Sequence, residues 1–448
     1  MPEEYTSLSY TASIHYDRRL YKEDIAGSMA HARMLGRQGI ITSEEAESIV
    51  SGLEAIRKEI AGNTFPWKQE LEDLHMNIES RLHELIGETA GKLHTARSRN
   101  DQIATDMRLY VKGVAAETLE QARSLQRALV AQAGQHVRTA MPGYTHVQRA
   151  QPVVLAHHLL AYVGMLDRDV ERFTQTIARA NVLPLGSGAL AGSPYPLDRE
   201  SVAKELGFDG ITENSMDAVS DRDFVLDYLY AASACMAHLS RLGEEFVLWS
   251  SEEFGFLRLA EADTTGSSIM PQKRNPDLAE LARGRTGRVY GHLIGMLTVI
   301  KGLPLTYNRD LQEDKEALFD TVDTLLPTLA AFTRMVHGAT FNNERMAQAA
   351  DGGGYSLATE LADYLARKGV PFRQAHGIVA ELTRYAAGEE KRFDALTLDE
   401  YRRFSPKFDN DILGITVASA LAARDVPGGT APSQVAVALK RAKERLGL

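Results

Sequence analysis

The sequence predicts an all-α protein, on three observations. Apolar residues recur at helical spacing through five stretches far longer than an ordinary helix. The segments between them are rich in Gly, Pro, Asn and Asp, which punctuate helices. No stretch offers a convincing strand framework of alternating apolar and polar residues. At 448 residues the chain is long enough for two or three domains, and shorter helical patterns at both ends suggest a division into 1–100, a central 101–340 and 341–448.

Composition narrows the function classes. With 44% hydrophobic and 25% charged residues the chain reads as globular rather than disordered. Lys plus Arg number 50 against 60 Asp plus Glu, a net charge of −10, so no general affinity for nucleic acid or anionic membrane is expected. An anionic substrate must then be drawn by a local patch. Cys235, in LDYLYAASACMAHL, is the single cysteine, which excludes an intramolecular disulfide and a cysteine-rich metal site. The histidines show no HExxH-type ligand spacing, so no metal is expected. The N-terminal MPEEYTSLSYTASIHYD has no basic segment followed by an apolar run, and no apolar run reaches the length of a membrane span, so a cytoplasmic location is expected.

Taken in chain order, the first informative segment is HTARSRNDQ at 94–102, polar except for Ala96. Ser98 and Asp101 at three-residue spacing, or Asn100 alone, suit a helix cap. Capping needs one or two of these residues, whereas Arg97 and Arg99 beside Ser98, Asn100 and Gln102 make a dense donor set for a carboxylate. Arg99 and Asn100 are read as functional, while Asp101 and Gln102 stay open between the two readings.

The helix that follows has apolar positions at Ile103, Met107, Tyr110, Val114, Leu119, Ala122, Leu125 and Leu129. That spacing gives one helix of roughly 30 residues, about 45 Å long. Comparable segments are predicted at about 153–181, 222–251, 277–301 and 313–337. Helices of this length point to a bundle, and apolar stripes on more than one face call for partners beyond one subunit.

Between the first two long helices, GYTHVQRAQP at 143–152 reads as a loop offering Thr145, His146, Gln148, Arg149 and Gln151. Imidazole is the side chain whose ordinary pKa lies near neutrality, so His146 is a candidate proton donor or a hydrogen-bonded loop residue. A carboxylate behind it would orient and charge it. Glu280 is the candidate partner, with a favourable acid at a helix start as the alternative.

GSSIMPQKRNPD at 266–277 is too punctuated for helix or strand. Gly266 opens unusual φ values, Pro271 and Pro276 fix φ and remove donors, and hydroxyls, amide N–H groups and cations remain exposed. Pro276 suits the first position of a helix capped by Asn275, whose start adds orphan N–H groups and a positive dipole end. The segment therefore suits an anion. Further on, GLPLTYNRDLQEDKE at 302–316 places Tyr307, Gln312 and Lys315 in a hinge before the last long helix.

These motifs carry a family resemblance. GSSIMPQKRNPD resembles the signature loop of the fumarase/aspartase superfamily, whose members release fumarate from a succinyl group. Together with HTARSRNDQ, GYTHVQRAQP, YNRDLQEDK, LEDLHMNIESRL, LPLGSGALAG, GYSLATELADYLARKGVPFRQAH and GGTAPSQV, it resembles the argininosuccinate lyase family over most of the chain. The resemblance implies a three-domain, mainly helical subunit whose five central helices assemble with those of three other chains into a twenty-helix homotetramer core. Active sites there draw residues from three subunits.

The implied reaction is reversible, cofactor-independent cleavage of argininosuccinate to L-arginine and fumarate. By position, Ser267 would be the base, and His146, with Thr145 beside it and Glu280 behind, would serve proton transfer to the leaving group. Lys273 and Asn275 would hold a substrate carboxylate, and Ser28, Arg99, Asn100, Tyr307, Gln312 and Lys315 would hold the rest. Arg274 follows Lys273 where many relatives repeat lysine, and the N-terminal lead is short, which puts N-terminal ordering over the site in doubt. Two alternatives accompany this reading: a related fumarate-releasing lyase on another N-substituted aspartate, and a non-catalytic, crystallin-like structural protein.

Overall fold

The computed structural model describes residues 10–448. The short N-terminal lead lies largely in residues 1–9, outside the described residues. The fold is all-α, and the five long helices are Arg99–Gln135, Leu155–Ala180, Asp223–Ser250, Asp277–Ile300 and Asp314–Gly338. The first runs to 37 residues, longer than the sequence suggested, because Arg99, Asn100, Asp101 and Gln102 already belong to its opening turn. Seven of the eight apolar positions assigned to its inner face are buried, and Leu119 is half-buried. No helix among the described residues is long and apolar enough to cross a membrane.

Two compact units share the chain, and each long helix contributes a stretch to both. The first unit comprises residues up to 120, 169–236 and 285–327. Its shorter helices are Tyr21–Arg37, Ser43–Ala61 and Leu74–Ile86. Thr42 and Glu45 close a reciprocal capping box at the start of the second of these, and Asp73 caps the third by accepting from the Met76 N–H at 2.7 Å. Within this unit Tyr228 packs on Phe173, accepts or donates at 3.0 Å to Thr118, and so ties three long helices together. Burial pushes the Cys235 thiol well up, as befits a core residue.

The second unit comprises 121–168, 237–284 and 328 onward. Here Gly243 lets the third long helix approach the fourth. A Cβ at that position would lie 2.9 Å from the Ala279 carbonyl oxygen. Beyond the long helices, Leu361, Leu365, Leu382, Phe393, Tyr401 and Phe408 form a separate apolar core from the shorter C-terminal helices.

One departure from the sequence prediction lies in this second unit. The segment read as a plain loop is a β-hairpin, Ala140–Thr145 paired antiparallel with Gln148–Val154. Its alternation is masked by Pro142, Gly143 and Pro152, where the register shifts between Pro142 and Tyr144. The hairpin packs on the helix Asn343–Asp351, and the Thr430 hydroxyl accepts the Val154 N–H at 2.8 Å.

Candidate active site

The predicted site residues divide between the two units. Ser28, Arg99, Asn100, Tyr307, Gln312 and Lys315 lie in the first, and Thr145, His146, Ser267, Lys273, Asn275 and Glu280 in the second.

In the first unit the HTARSRNDQ segment caps the helix that follows it. Asp101 Oδ1 accepts the Ser98 N–H at 2.9 Å, and Ser98 Oγ accepts the Asn100 N–H at 3.2 Å, which caps the first long helix. Asp101 Oδ2 accepts the N–H groups of Gly186 and Gly188 at 3.0 and 2.8 Å. Both glycines have positive φ, 94° and 61°, so their backbones can turn two donors onto one oxygen. Burial raises the Asp101 carboxyl above its usual range even though these N–H groups pull it down. Its work is to fasten the LPLGSGAL loop to the helix start.

Arg99 Nη1 donates to Gln102 Oε1 at 2.9 Å and to Glu79 Oε1 at 3.3 Å, with Asp73 3.8 Å from Nε. Burial alone would raise the Glu79 carboxyl, but His94, Arg99 and Arg97 outweigh it and hold it at about 2. Asn100 Nδ2 reaches the Ala189 carbonyl at 3.2 Å. Ser28 is buried, its Oγ accepting from Arg97 Nη1 at 2.8 Å.

The YNRDLQEDK residues are equally anchored. Gln312 Nε2 donates to the Tyr16 hydroxyl at 2.9 Å, and Lys315 Nζ donates to Asp314 Oδ1 at 2.9 Å. Asp314 Oδ2 also takes Arg222 Nε at 2.6 Å, so one buried carboxylate serves two buried cations. Tyr307 is half-buried, and burial, with Asp314 and Asp73 nearby, pushes its hydroxyl up.

The second unit presents its residues outward. Ser267 Oγ accepts the N–H groups of Met270 and Ile269 at 3.1 and 3.3 Å. Two donors on a serine oxygen are the arrangement that stabilises negative charge there. The loop is not free of strand, as its composition suggested. Thr265 and Gly266 pair with Asn275 and Arg274, which pins its ends and leaves 267–273 as a projecting tip. Ile269 is 82% exposed at that tip.

Lys273 Nζ hydrogen-bonds Asn275 Oδ1. Arg274 turns instead to an ion pair with Glu261, so the departure at that position leaves Lys273 unaffected. The following helix begins at Asp277, with the Pro276 carbonyl accepting from the N–H groups of Ala279 and Glu280 at 3.0 and 3.2 Å.

His146 and Val147 form the two-residue turn of the hairpin, between Thr145 and Gln148, both with positive φ, 53° and 57°. Such a turn normally takes Asn-Gly, and a β-branched valine there is strained by about 1–3 kcal/mol. His146 is exposed at this turn. His146 has no hydrogen-bond or ion-pair partner among the described residues, and Glu280 faces Arg283 at 3.6 Å.

Sequence reasoning passed over Asp24 and His75, which the fold brings to this region, and counted Arg97 only as one donor among several. Arg97 and His75 sit in HTARSRNDQ and LEDLHMNIESRL, and Asp24 lies four residues before Ser28. Their roles depend on partners 51 to 78 positions away, which no local pattern shows. Asp24, His75 and Asp106 also form the one group of acidic and histidine side chains among the described residues close enough to share a cation.

Comparison with known proteins defines the class first. The family model described as "Lyase" matches residues 3–291, and the chain is a carbon–nitrogen lyase of the fumarase/aspartase superfamily. A second model, "Argininosuccinate lyase C-terminal", matches residues 355–425. The chain is 60% identical over 445 residues to the argininosuccinate lyase of Dehalococcoides mccartyi (strain CBDB1), covering 99% of this chain and 96% of that one. It is 57% identical over 438 residues to that of Moorella thermoacetica, covering 98% and 94%. It belongs to the argininosuccinate lyase family. Among solved structures, an EDDS lyase variant with bound fumarate superposes with a TM-score of 0.86 at 30% identity, covering 98% of this chain and 88% of that one.

Proposed function

We propose that the chain cleaves argininosuccinate to L-arginine and fumarate by a reversible β-elimination, without a cofactor, and that Ser267 is the base. The observation that carries this is the pair of backbone N–H groups held on Ser267 Oγ at 3.1 and 3.3 Å. A serine hydroxyl is a base only where its surroundings stabilise the alkoxide, and two fixed amides in an anion-binding loop supply that field.

Ser267 takes the proton from the carbon beside a succinyl carboxylate, and the electron pair moves into that group as a doubly charged aci-carboxylate. Lys273 and Asn275 hold this charge. Collapse of the intermediate forms the carbon–carbon double bond and breaks the carbon–nitrogen bond, while His146, beside Thr145, hands a proton to the departing guanidinium nitrogen. Ser28, Arg99, Asn100, Tyr307, Gln312 and Lys315 hold the substrate.

His146 and Ser267 stand where groups from outside the chain can reach them, and Glu280 is exposed on its helix. This supports completion of each site by other subunits, with Glu280 pairing to His146 in the assembly. The assembly is a homotetramer with a twenty-helix core, built on subunits of three domains, 1–100, 101–340 and 341–448. On the fourth long helix Tyr290, Ile294 and Leu297, at steps of four and three, are 41%, 64% and 49% exposed and give the face on which neighbours would pack. The setting is arginine biosynthesis in the cytoplasm.

The test follows fumarate absorbance on addition of argininosuccinate. Wild type should release fumarate, and Ser267→Ala should lose turnover by on the order of 10³-fold or more while still binding substrate. Turnover retained in the variant removes Ser267 as base. Fumarate from another N-substituted aspartate but not from argininosuccinate would favour the related lyase, and none from either would favour the structural protein.

A further inference from the structure

Behind Arg99 in the first unit lies a line of buried polar groups that the reaction does not use directly. Asp24 and His75 are 1% and 2% exposed, and Gln102 is 4% exposed. His75 Nδ1 lies 2.9 Å from Asp24 Oδ1, and the same oxygen accepts from Gln102 Nε2. The far end of that amide, Gln102 Oε1, accepts from Arg99 Nη1 at 2.9 Å.

The line has only one consistent direction. A guanidinium has donors and no acceptor, so the Gln102 carbonyl must face Arg99. Its NH2 must then face Asp24, an acceptor. Reversing the amide would set donor against donor at one end and acceptor against acceptor at the other.

Asp106 adjoins this line, with Oδ2 buried and without a hydrogen-bond partner. Burial and the neighbouring charges of Asp24 and Glu23 raise its carboxyl well above the usual range. For Asp24 itself, burial is outweighed by His75, Arg97 and Gln102, which keep it ionised. A shared cation is the poorer reading of the cluster, because a His75 Nδ1 that donates to Asp24 has no lone pair left for a metal.

We propose that Asp24 is a positioning residue, and that the buried line from His75 through Asp24 and Gln102 fixes the Arg99 guanidinium in the orientation that receives a substrate carboxylate. This deepens the assignment of Arg99 as a substrate ligand and rests on it. A free arginine side chain samples many rotamers, whereas one held from behind through a single-direction chain presents its remaining N–H groups at a set angle. Loss of the line should weaken binding in ground and transition states alike, and so act on KM.

Steady-state fumarate release by wild type, Arg99→Ala, Asp24→Asn, Gln102→Met and the double variant tests this. Asp24→Asn keeps the volume and removes the charge, and Gln102→Met keeps the length and cuts the line. Each should raise KM by about tenfold or more, up to the order of 100-fold, with kcat within about threefold. The double variant should be no worse than the worse single, because either cut disconnects the same end.

A merely structural role would instead lower kcat and thermal stability together and add in the double variant, which would overturn the proposal. An unchanged KM in Gln102→Met overturns it even if Asp24→Asn fails to fold. If Arg99→Ala leaves KM unchanged, the ligand assignment fails; if Arg99→Ala raises KM but Asp24→Asn and Gln102→Met do not, the positioning line alone fails.

Discussion

The two units handle their polar residues in opposite ways. In the first, Ser28, Arg97, Asp101 and Lys315 are buried and hydrogen-bonded, with Arg99 and Gln312 half-buried on the same kind of anchored network. In the second, His146 stands on a strained turn and Ser267 on a projecting loop whose apolar tip is open to solvent. The difference teaches that polar side chains can be fixed by buried partners within one unit, at the cost of burying charge, or left at the surface on a turn or loop whose backbone alone is held.

The comparison can be broken first at Asp101, where the effect on stability should be largest. Asp101→Asn replaces an acceptor of three N–H groups by a side chain with one acceptor oxygen, and unfolding by denaturant should show a loss of about 3 kcal/mol. A loss below about 1 kcal/mol would mean that the first unit is not held by its buried polar contacts. Next in size is Gly243→Ala in the second unit, whose added methyl meets the Ala279 carbonyl. The expected cost is about 2 kcal/mol, with a fall in activity because the helix carrying Glu280 is displaced.

Acid should distinguish the interior of the first unit. His31 is buried, its Nε2 2.9 Å from the Thr95 carbonyl, and burial together with Arg97 lowers its pKa from 6.5 to about 3. Between those values the unfolded chain binds a proton that the folded chain refuses, so stability is full above about pH 6.5 and falls as pH falls toward 3. By about pH 5 this group alone should cost roughly 1–2 kcal/mol, and His31→Gln should flatten that part of the stability–pH curve. An identical curve in the variant would show that other groups set the acid limb.

The smallest expected effect has the opposite sign. Val147→Gly relaxes a β-branched residue at a φ of 57° and should raise the second unit's stability by about 1 kcal/mol, while activity falls as His146 gains freedom. Greater stability with full activity would show that strain in the hairpin tip is not used to aim the imidazole.

Much of this was legible in advance, for a physical reason that differs from place to place. All five long helices lie within a few residues of their predicted spans, because a one-sided apolar stripe at steps of three and four has no other good solution. The hairpin at Ala140–Val154 was not legible, since two prolines and a glycine broke the alternation that would announce it. Of the candidate site, Ser267, Lys273 and His146 stood out because each lies in a short motif dense in hydroxyl, cationic or imidazole side chains.

Sequence by itself determined the helical class and the family to which the chain belongs. Only the tertiary structure decided that Asp101 fastens a loop at Gly186 and Gly188, that Arg97 holds Ser28, and that Asp24 and His75 stand behind Arg99. Local patterns record which residues share a helix face or a turn, because those relations span a few positions. Hydrogen bonds between residues 69 to 87 positions apart exist only once packing has expelled water around them, and nothing in the order of residues marks where that will happen.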